Sequence, residues 1–414
     1  MKVLLSLYAC LPDAGSEAGG GWNSVIQYAQ ADFEVWGITR VENRESIEAR
    51  LKKLRLTNVR FHYTELSAWK TSVCDSGEAG MYLHYYWWQQ QVARDAKKLD
   101  RQENFDLVHH ISYASLQQGT GLWRLGKKLI YGPVGGGQFT PDVFRKYFYR
   151  DWFKYEIVRR WISALLTLHP NVRRTLREAA LVYTTNDETY ALAKKLGGKN
   201  VRNFNDSGLP ADFYPKQYPE RTVTQTLQLL WVGRLFARKG LPLVLEALAK
   251  VDPAVDFHLT IVGDGPLLGQ VPEWVVEYGL QDKVTSTGRL PWMQVREMYR
   301  KSDVFMFCSL RDSSAVQYIE AMAWGLPVIT LDIHGGRVTV PGNAGIKVAV
   351  EDKTLDAIIS DLARAVEKMH TGRHQLREIG LAAYEHAKSY SWTNRMRIHT
   401  EKLRQVLDGA HVEA

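Results

Sequence analysis

Four charged side chains in the second half of the chain have types and spacing that suit the binding of a polar ligand. Arg234 and Lys239 follow the apolar run 227–232 and precede a helical pattern. A guanidinium fork and an ammonium in such a loop can converge on a diphosphate. Asp312 and Glu320 stand eight positions apart, so two carboxylates can accept hydrogen bonds from hydroxyls on two parts of one ligand. Each residue also has an ordinary interpretation: loop cations are usually solvated, Asp312 can cap a helix, and Glu320 can be a buried structural acid.

Three consecutive glycines, Gly19, Gly20 and Gly21, follow the first apolar run of the chain. Glycine lacks a side chain and allows positive φ, so the backbone of a glycine loop can approach a phosphate closely. The helix that follows is predicted to begin near Trp22, and its positive end would favour an anion. A tight turn between strand and helix explains the glycines equally well.

Apolar runs alternate with helical patterns along the whole chain, which predicts parallel sheets covered by helices. The predicted strands of the first half are 2–7, 34–38, 59–63, 107–111, 128–131 and 181–184. Those of the second half are 227–232, 257–262, 284–287, 304–308, 327–330 and 345–348. A segment rich in turn formers, residues 206–226, separates the two series.

The pattern therefore predicts two Rossmann-like, doubly wound domains that face each other across a cleft. We place the first domain at residues 1–210 and the second at residues 211–390. Residues 391–414 are predicted to form a C-terminal helix that can pack back on the first domain. In open α/β sheets, ligands bind at the carboxyl ends of the strands, so the site is expected there.

Composition sets the class of protein. The 414 residues are 45% hydrophobic and 24% charged, as in ordinary globular proteins of two or three domains. Cys10, Cys74 and Cys308 show no paired spacing, which argues against disulfides and structural zinc and favours a reducing cytoplasm. No run approaches the roughly 18 to 20 apolar residues of a membrane span, and the apolar N-terminal run is short for a signal peptide.

The excess of positive charge lies entirely in the first half. Residues 1–210 hold 29 basic and 21 acidic residues, whereas the remainder holds 24 of each. Residues 141–177 mix nine basic residues with aromatic ones, a composition that suits an anionic lipid surface. Those aromatic residues are Phe144, Tyr147, Phe148, Tyr149, Trp152, Phe153, Tyr155 and Trp161. A solvated basic helix whose aromatic residues face the core is the alternative, and the absence of a recognised nucleic-acid motif disfavours that partner.

Two adjacent histidines, His109 and His110, stand in the predicted strand 107–111. A histidine near the carboxyl end of such a strand can reach a ligand, although it can also be purely structural. No group of histidines and carboxylates has the spacing of a metal site, so no metal is expected.

Several short motifs together resemble the retaining GT-B glycosyltransferases of family 4, the glycosyltransferase group 1. In the second half they are Gly233-Arg234 with Lys239-Gly240, Gly263-Asp264-Gly265-Pro266, and Asp312 seven residues before Glu320-Ala321-Met322-Ala323. In the first half they are Gly15-Ser16-Glu17, the glycine stretch, Asp106-Leu107-Val108-His109-His110 and Gly132-Pro133-Val134-Gly135-Gly136-Gly137. The resemblance therefore extends over nearly the whole chain.

The resemblance implies that Arg234 and Lys239 bind the diphosphate of a nucleotide sugar, Glu320 its ribose, and Asp312 the hydroxyls of the transferred sugar. His110, or else His109, is implied to lie near the reacting carbon. The remaining donor-side residues implied are Gly19, Gly20, Gly21, Gly263, Arg289, Leu290, Ser313, Ser314, Ala315 and Val316. The acceptor-side candidates, in the first domain, are Glu17, Gly136, Gly137 and Gln138. The chain departs from the family at Asp312 and at Gln138, where glutamate is usual or frequent.

The resemblance also implies a reaction. A sugar would pass with retention, and without a metal or other cofactor, from a nucleotide-diphosphate sugar to a hydroxyl of a glycan or lipid-linked glycan. Exopolysaccharide or lipopolysaccharide assembly at the inner face of the plasma membrane is the expected setting. The alternatives are a nucleotide-sugar epimerase of the same fold, an NADP-dependent oxidoreductase in which Arg40 binds the 2′-phosphate, and a catalytically silent carbohydrate-binding protein.

Overall fold

The protein is described here by a computed structural model, which covers residues 1–12, 14, 16–73, 78–113, 115–205, 207–222 and 224–407. The chain divides into two compact units. The first comprises residues 1–137, 160–207 and the chain from 392 onward, and the second comprises residues 138–159 and 208–391. The sequence analysis assigned 138–159 to the first domain, but this segment packs with the second. The reason is that the aromatic rings of Phe144, Phe148 and Trp152 are buried in the core of the second unit.

The first unit is built on a parallel sheet. Within the described residues its strands are β1 (Lys2–Leu7), β2 (Glu34–Arg40), β3 (Val59–Thr64), β4 (Leu107–Ser112), β5 (Lys128–Val134), β6 (Ala179–Thr184) and β7 (Val201–Asn203). Their order across the sheet is β3-β2-β1-β4-β5-β6-β7, and every neighbouring pair is parallel. The order reverses direction at β1, so the carboxyl ends of β1 and β4 flank the point at which ligands bind in such sheets.

Helices cover both faces of this sheet. They are α1 (Ser16–Gln30), α2 (Arg44–Leu54), α3 (Ala68–Ser72), α4 (Glu78–Glu103), α5 (Val158–Thr167), α6 (Pro170–Glu178), α7 (Asp187–Lys195) and, from the end of the chain, α15 (Trp392–Leu407). Two separate hydrophobic cores form between the sheet and these helices. One contains Trp88 of α4, and the other contains Trp22 of α1 and Leu403 of α15.

The second unit repeats the design. Among the residues described, its strands are β8 (Leu227–Val232), β9 (Phe257–Val262), β10 (Val284–Ser286), β11 (Val304–Met306), β12 (Val328–Leu331) and β13 (Gly345–Val348), in the order β10-β9-β8-β11-β12-β13, again all parallel. Its helices are α8 (Leu241–Leu248), α9 (Val271–Glu277), α10 (Trp292–Lys301), α11 (Val316–Ala323), α12 (His334–Thr339), α13 (Leu355–Thr371) and α14 (Leu376–Lys388). The segment from the first half adds a 3₁₀ helix, Asp142–Asp151, and a π-helical turn, Phe153–Ile157.

The predicted fold class, two Rossmann-like α/β sheets, is confirmed. Strands β8, β9 and β13 begin and end at the predicted residues, and the apolar runs of β8 and β9 are bounded by polar or turn-forming residues. Strand β7 was missed because only Val201 of its three residues is buried, so it carries no apolar run.

The three glycines near the N-terminus were predicted to form a loop, and that prediction is wrong. Gly19, Gly20 and Gly21 lie inside α1, which begins at Ser16 rather than near Trp22. A methyl group on Gly19 would come within 2.0 Å of the carbonyl oxygen of Ala14, and one on Gly21 within 2.2 Å of that of Ala9. The glycines therefore allow α1 to pack directly against the backbone that precedes it.

No described helix is both long enough and apolar enough to cross a bilayer. No group of three or more described His, Cys, Asp or Glu side chains is arranged to hold a metal ion. The thiols of Cys10 and Cys308 are buried and free, while Cys74 lies outside the described residues.

Candidate active site

A buried ion-pair cluster lies at the carboxyl edge of the second sheet, in the loops that follow β8 and β11. Lys239 Nζ lies 2.6 Å from Asp312 Oδ2, and Arg238 Nη1 lies 2.5 Å from Asp312 Oδ1. The hydroxyl of Ser309 donates a third hydrogen bond to Asp312 Oδ2 at 2.8 Å. Lys239 and Asp312 were both predicted as site residues, and the structure brings them together. Arg238 was not predicted, because the sequence does not show that its side chain points to the same carboxylate as that of Lys239.

Burial and charge act in opposite directions in this cluster. Lys239 and Asp312 are each only 8% exposed. Burial lowers the pKa of Lys239, although the Asp312 carboxylate opposes that shift. For Asp312, burial alone would raise the pKa, but the charges of Lys239 and Arg238 outweigh it and hold that pKa below its ordinary value. The carboxylate is therefore ionised at neutral pH and orients the two cations.

Arg234 is the exposed member of the predicted diphosphate-binding pair. Its guanidinium lies over the ring of Phe236, with Cζ 4.7 Å from the ring centroid, and its charge contributes to lowering the pKa of Lys239. Arg289, another predicted donor-side residue, is also exposed and lies 3.9 Å from Asp264. With Arg234, Arg238 and Lys239 against Asp312, the loops carry a net charge of two positive units available to an anion.

The glycine-rich turns that follow β8 and β9 pack backbone against backbone. Gly263 has φ +149°, and a methyl group there would come within 1.8 Å of the Gly233 carbonyl oxygen. The next loop residues pair through Leu235 N–H, which donates to the Asp264 carbonyl at 2.7 Å. Gly263 was predicted to contact the donor. In the structure, glycine is required there for another reason, because it lets the chain pack closely against the loop that carries Arg234. Leu290, predicted with it, is partly buried against the core.

Glu320 occupies a separate buried environment on α11. Its Oε1 accepts a hydrogen bond from the Trp292 indole N–H at 3.1 Å, and its Oε2 accepts one from the Tyr299 hydroxyl at 2.8 Å. Burial raises the pKa of Glu320, although both hydrogen bonds oppose that shift. Trp292 is 45% exposed and its ring stacks on Phe213 at a centroid distance of 5.0 Å, so the donor to Glu320 stands next to solvent. Asp312 and Glu320, expected to act on one ligand, thus have separate sets of protein partners.

The loop between Asp312 and α11 is closely packed. The N–H of Gly335 at the start of α12 donates to the Asp312 carbonyl at 3.1 Å, and a methyl group on Gly335 would come within 2.9 Å of the Ser314 Cα. Ala315 is buried at the start of α11, and Val316 begins that helix. The predicted donor-side residues Ser313, Ser314, Ala315 and Val316 therefore form one fixed turn beside the ion-pair cluster.

A second buried ion pair connects this turn to the segment 138–159. Arg311 Nη1 lies 2.6 Å from Glu156 Oε1, and Glu156 is completely buried. The other carboxylate oxygen accepts the Thr140 N–H at 3.2 Å. In addition, His334 Nε2 lies 3.0 Å from the Phe139 carbonyl oxygen. The segment therefore supports the residue that precedes Asp312, a contact that spans 155 positions of sequence and that no local pattern indicates.

Both candidate histidines lie buried in the first unit, with both ring nitrogens of each hydrogen-bonded inside the protein. His109 Nδ1 lies 2.9 Å from the Tyr28 hydroxyl, and its Nε2 lies 2.8 Å from the Gly132 carbonyl oxygen. His110 Nδ1 lies 3.0 Å from the Ser6 hydroxyl, and its Nε2 lies 3.0 Å from that of Tyr85. Burial lowers the pKa of His109 to about 4 and that of His110 to about 3. These contacts favour the structural interpretation over a role beside the reacting carbon.

His399 of α15, which the sequence analysis did not single out, completes this network. Its Nε2 lies 2.5 Å from the Tyr28 hydroxyl and its Nδ1 lies 3.0 Å from the Tyr183 hydroxyl. The ring of His399 also stacks on that of His109 at 5.3 Å. The last helix of the chain is thereby fixed to the core of the first unit.

The acceptor-side candidates have different positions. Glu17 is exposed in the first turn of α1. Gly136 has φ +118°, and its carbonyl accepts the Gln117 amide at 2.5 Å, while the Gly137 N–H donates to the Thr189 hydroxyl at 3.0 Å. Gln138 is buried and belongs to the second unit. The boundary between the two units therefore falls directly after Gly137.

The segment 141–177 was interpreted either as a lipid-binding surface or as a basic helix whose aromatic residues face the core, and its aromatic residues fall into two sets. Four of its aromatic side chains are buried in the core of the second unit: Phe144, Tyr147, Phe148 and Trp152. Four others are exposed: Tyr149, Phe153, Tyr155 and Trp161. Core packing thus explains the first set and leaves the second set unexplained.

Comparison with known proteins finds a family model that matches most of the second half. Residues 217–384 match the family model described as "Glycosyl transferases group 1". The D-inositol 3-phosphate glycosyltransferase of Paenarthrobacter aurescens is 27% identical over 190 residues, which are 44% of this chain and 45% of that protein. The match thus spans less than half the length of this relative.

Solved structures resemble the whole chain. The sucrose-phosphate synthase from Thermosynechococcus elongatus aligns with a TM-score of 0.66 at 18% identity, covering 99% of this chain and 100% of that one. Anabaena HepE, solved in complex with UDP and glucose, aligns with a TM-score of 0.59 at 14% identity, covering 98% and 100%. At these identities the likeness establishes the fold. Residues 217–384 accordingly match the group 1 glycosyltransferase model, in a chain whose two Rossmann-like units have the GT-B fold.

Proposed function

We propose that the protein transfers a sugar from a nucleotide-diphosphate sugar to a hydroxyl of a glycan or lipid-linked glycan, in exopolysaccharide or lipopolysaccharide assembly. The observation that carries the proposal is the cluster of Arg238, Lys239 and Asp312 beside the exposed Arg234. Buried ion pairs add little to the stability of a fold, so a binding role explains a buried carboxylate that orients two cations better than a stabilising role does. The complex of HepE with UDP and glucose supports a donor of this class.

The cluster can neutralise a leaving diphosphate. One of the three ammonium protons of Lys239 points to Asp312, which leaves two for phosphate oxygens. Arg238 uses a single nitrogen for its contacts with Asp312 and the Arg311 carbonyl, which leaves the remaining donors of its fork. Arg234 supplies a third cation. Three cations and their fixed geometry would stabilise the charge that develops as the bond between the sugar and the phosphate breaks.

The proposed step is a substitution on one face of the sugar, with retention. The bond between the anomeric carbon and the phosphate oxygen breaks, and the diphosphate leaves with both electrons. The acceptor hydroxyl oxygen forms the new bond from the same face and gives its proton to the departing phosphate. No side chain acts as a nucleophile, and we propose that the three cations replace a metal ion. His109 and His110 take no part, since their ring nitrogens are engaged within the core.

Ligand-dependent thermal stability tests the donor class. The protein is heated with UDP, GDP, ADP, dTDP or NADPH at about 100 times the dissociation constant, where a ligand adds about 2.7 kcal/mol. One nucleoside diphosphate is expected to raise Tm by roughly 5 to 10 °C for a unit of this size. A shift with NADPH alone would instead favour the oxidoreductase alternative.

A turnover assay tests the reaction. The sugar nucleotides of the base that binds are supplied with a membrane extract as acceptor, with or without EDTA, and the released nucleoside diphosphate is measured. Release that requires the acceptor and persists in EDTA is expected, with the anomeric configuration of the donor preserved in the product. Interconversion of sugar nucleotides without an acceptor would identify an epimerase.

A further inference from the structure

Helix α5 presents its apolar side to solvent. Trp161 is 75% exposed, Ile162 52%, Leu165 69% and Leu166 39%, and Leu168, directly after the helix, is 63% exposed. At about 100° of rotation per residue, these positions share one continuous face of the helix. Helices on the surface of a soluble domain normally turn such a face toward the core.

The polar side of the same helix faces the protein. Ser163 and Thr167 are only 7% and 8% exposed and lie on the side opposite to Trp161 and Leu165. The Ser163 hydroxyl accepts the Gln117 amide at 2.8 Å, and the Thr167 hydroxyl donates to the Ala164 carbonyl at 2.6 Å. The Thr167 bond lies within the helix, whereas the bond from Gln117 to Ser163 joins the polar side of α5 to the rest of the first unit. A continuous exposed apolar face of this kind marks a surface that is covered by another molecule.

Exposed arginines follow this face in the chain. A short turn leads from α5 to α6, where Arg173, Arg174 and Arg177 are exposed at spacings that share one helix face. One carboxylate, that of Glu178, pairs with Arg174 at 3.2 Å. Apolar side chains led by a tryptophan, followed in the chain by exposed arginines, match the acyl boundary and the phosphates of an anionic membrane surface.

We propose that the α5 face, defined as Trp161, Ile162, Leu165, Leu166 and Leu168, inserts into the interfacial region of an anionic phospholipid bilayer while the arginines of α6 contact the headgroups. The inference rests on the proposed function, because it names the surface through which the enzyme reaches a lipid-linked acceptor. A second copy of the chain is a poorer occupant. A symmetric pairing would bring the same three arginines of both copies to one interface, where like charges repel.

Vesicle binding by sedimentation tests the proposal. The wild-type protein is mixed with vesicles of phosphatidylcholine alone or with one third phosphatidylglycerol, at 50 and 200 mM NaCl. Tight binding to the anionic vesicles is expected. A variant that carries Trp161→Ser, Leu165→Ser and Leu168→Ser is expected to bind about tenfold more weakly or worse at both salt concentrations. Its Tm should not fall, because all three side chains are exposed.

Two further variants separate the apolar from the ionic contribution. Arg173→Glu with Arg177→Glu should weaken binding most at 50 mM NaCl, where electrostatic attraction is strongest. Trp69→Ser is the matched control, since Trp69 is 61% exposed on α3, and it should bind vesicles like the wild type.

The proposal fails if the wild type ignores anionic vesicles or if the triple serine variant binds them as well as the wild type does. It also fails if light scattering shows a dimer that the triple variant dissociates, since the face would then be a protein interface. Hydrolysis of the sugar nucleotide without vesicles is measured in parallel and should be unchanged in the triple variant. Vesicle binding without any consumption of sugar nucleotide would overturn the proposed function and leave the membrane surface standing.

Discussion

Replacement of Lys239 by methionine measures what the ion-pair cluster contributes to the fold. Lys239 is 8% exposed and lies 2.6 Å from Asp312, so Lys239→Met leaves a buried carboxylate with Arg238 and Ser309 as its remaining partners. Removal of one partner from a buried pair costs about 3 to 5 kcal/mol. Because Arg238 remains, we expect the lower end, about 3 kcal/mol. For a unit of roughly 200 residues this lowers Tm by about 6 to 12 °C.

The assay is thermal unfolding of purified variants followed by circular dichroism, with urea unfolding as a second measure. The double variant Lys239→Met, Asp312→Asn removes the uncompensated charge and keeps an oxygen acceptor for Arg238, so its stability should return to within about 1 kcal/mol of the wild type. Lys301→Met, at an exposed lysine of α10, is the control and should be neutral. If Lys239→Met unfolds within 2 °C of the wild type (about 1 kcal/mol or less), the argument that Asp312 depends on Lys239 is refuted.

Three further outcomes are expected. Arg234→Ala should leave Tm unchanged, since the side chain is exposed, and should weaken the binding of a nucleoside diphosphate about tenfold or more, as measured by calorimetry. The control Arg300→Ala should change neither quantity. If Arg234→Ala binds with the affinity of the wild type, Arg234 does not belong to the site. Glu320→Gln should abolish the preference for a ribonucleoside over a 2′-deoxyribonucleoside diphosphate, and a retained preference would contradict ribose binding by Glu320. In acid, the free energy of unfolding should fall by about 4 kcal/mol from pH 7 to pH 5 as the unfolded chain takes up protons that His109 and His110, with pKa values of about 4 and 3, do not accept when folded. Urea titrations at pH 7, 6 and 5 measure this loss, and His110→Gln should reduce the slope; an unchanged slope would show that other groups cause it.

The local sequence pattern predicted the fold because each buried strand appears in the sequence as a short apolar run. The apolar runs 227–232 and 257–262 predicted strands whose bounds agree with the structure. The glycines at 19–21 misled the prediction, since a loop that approaches a ligand and a helix that approaches backbone require the same missing side chain. Three glycines are poor helix formers, and here the close packing of α1 outweighs that propensity.

The site was predictable where it depends on residue type and not where it depends on distant contacts. Lys239 and Asp312 were identified from their loops, and the structure joins them. Glu156 could not be identified, because the contact that gives it meaning, with Arg311, spans the two halves of the sequence. The position of His109 near a strand end does not by itself indicate its role, because its hydrogen bond with the Tyr28 hydroxyl cannot be inferred from the sequence.

The hydrogen bonds of His399 also set an order of events during synthesis. Tyr28 lies in α1, yet its hydroxyl meets a histidine of α15, 371 positions later, so the ribosome must synthesise the whole second unit before this part of the core can close. Domains commonly fold as they emerge, N-terminal first. Here the first unit cannot be finished first. While the second unit is being translated, the nascent protein would carry this core without Met396 and Leu403 of α15, and chaperones would have their longest opportunity to bind it then.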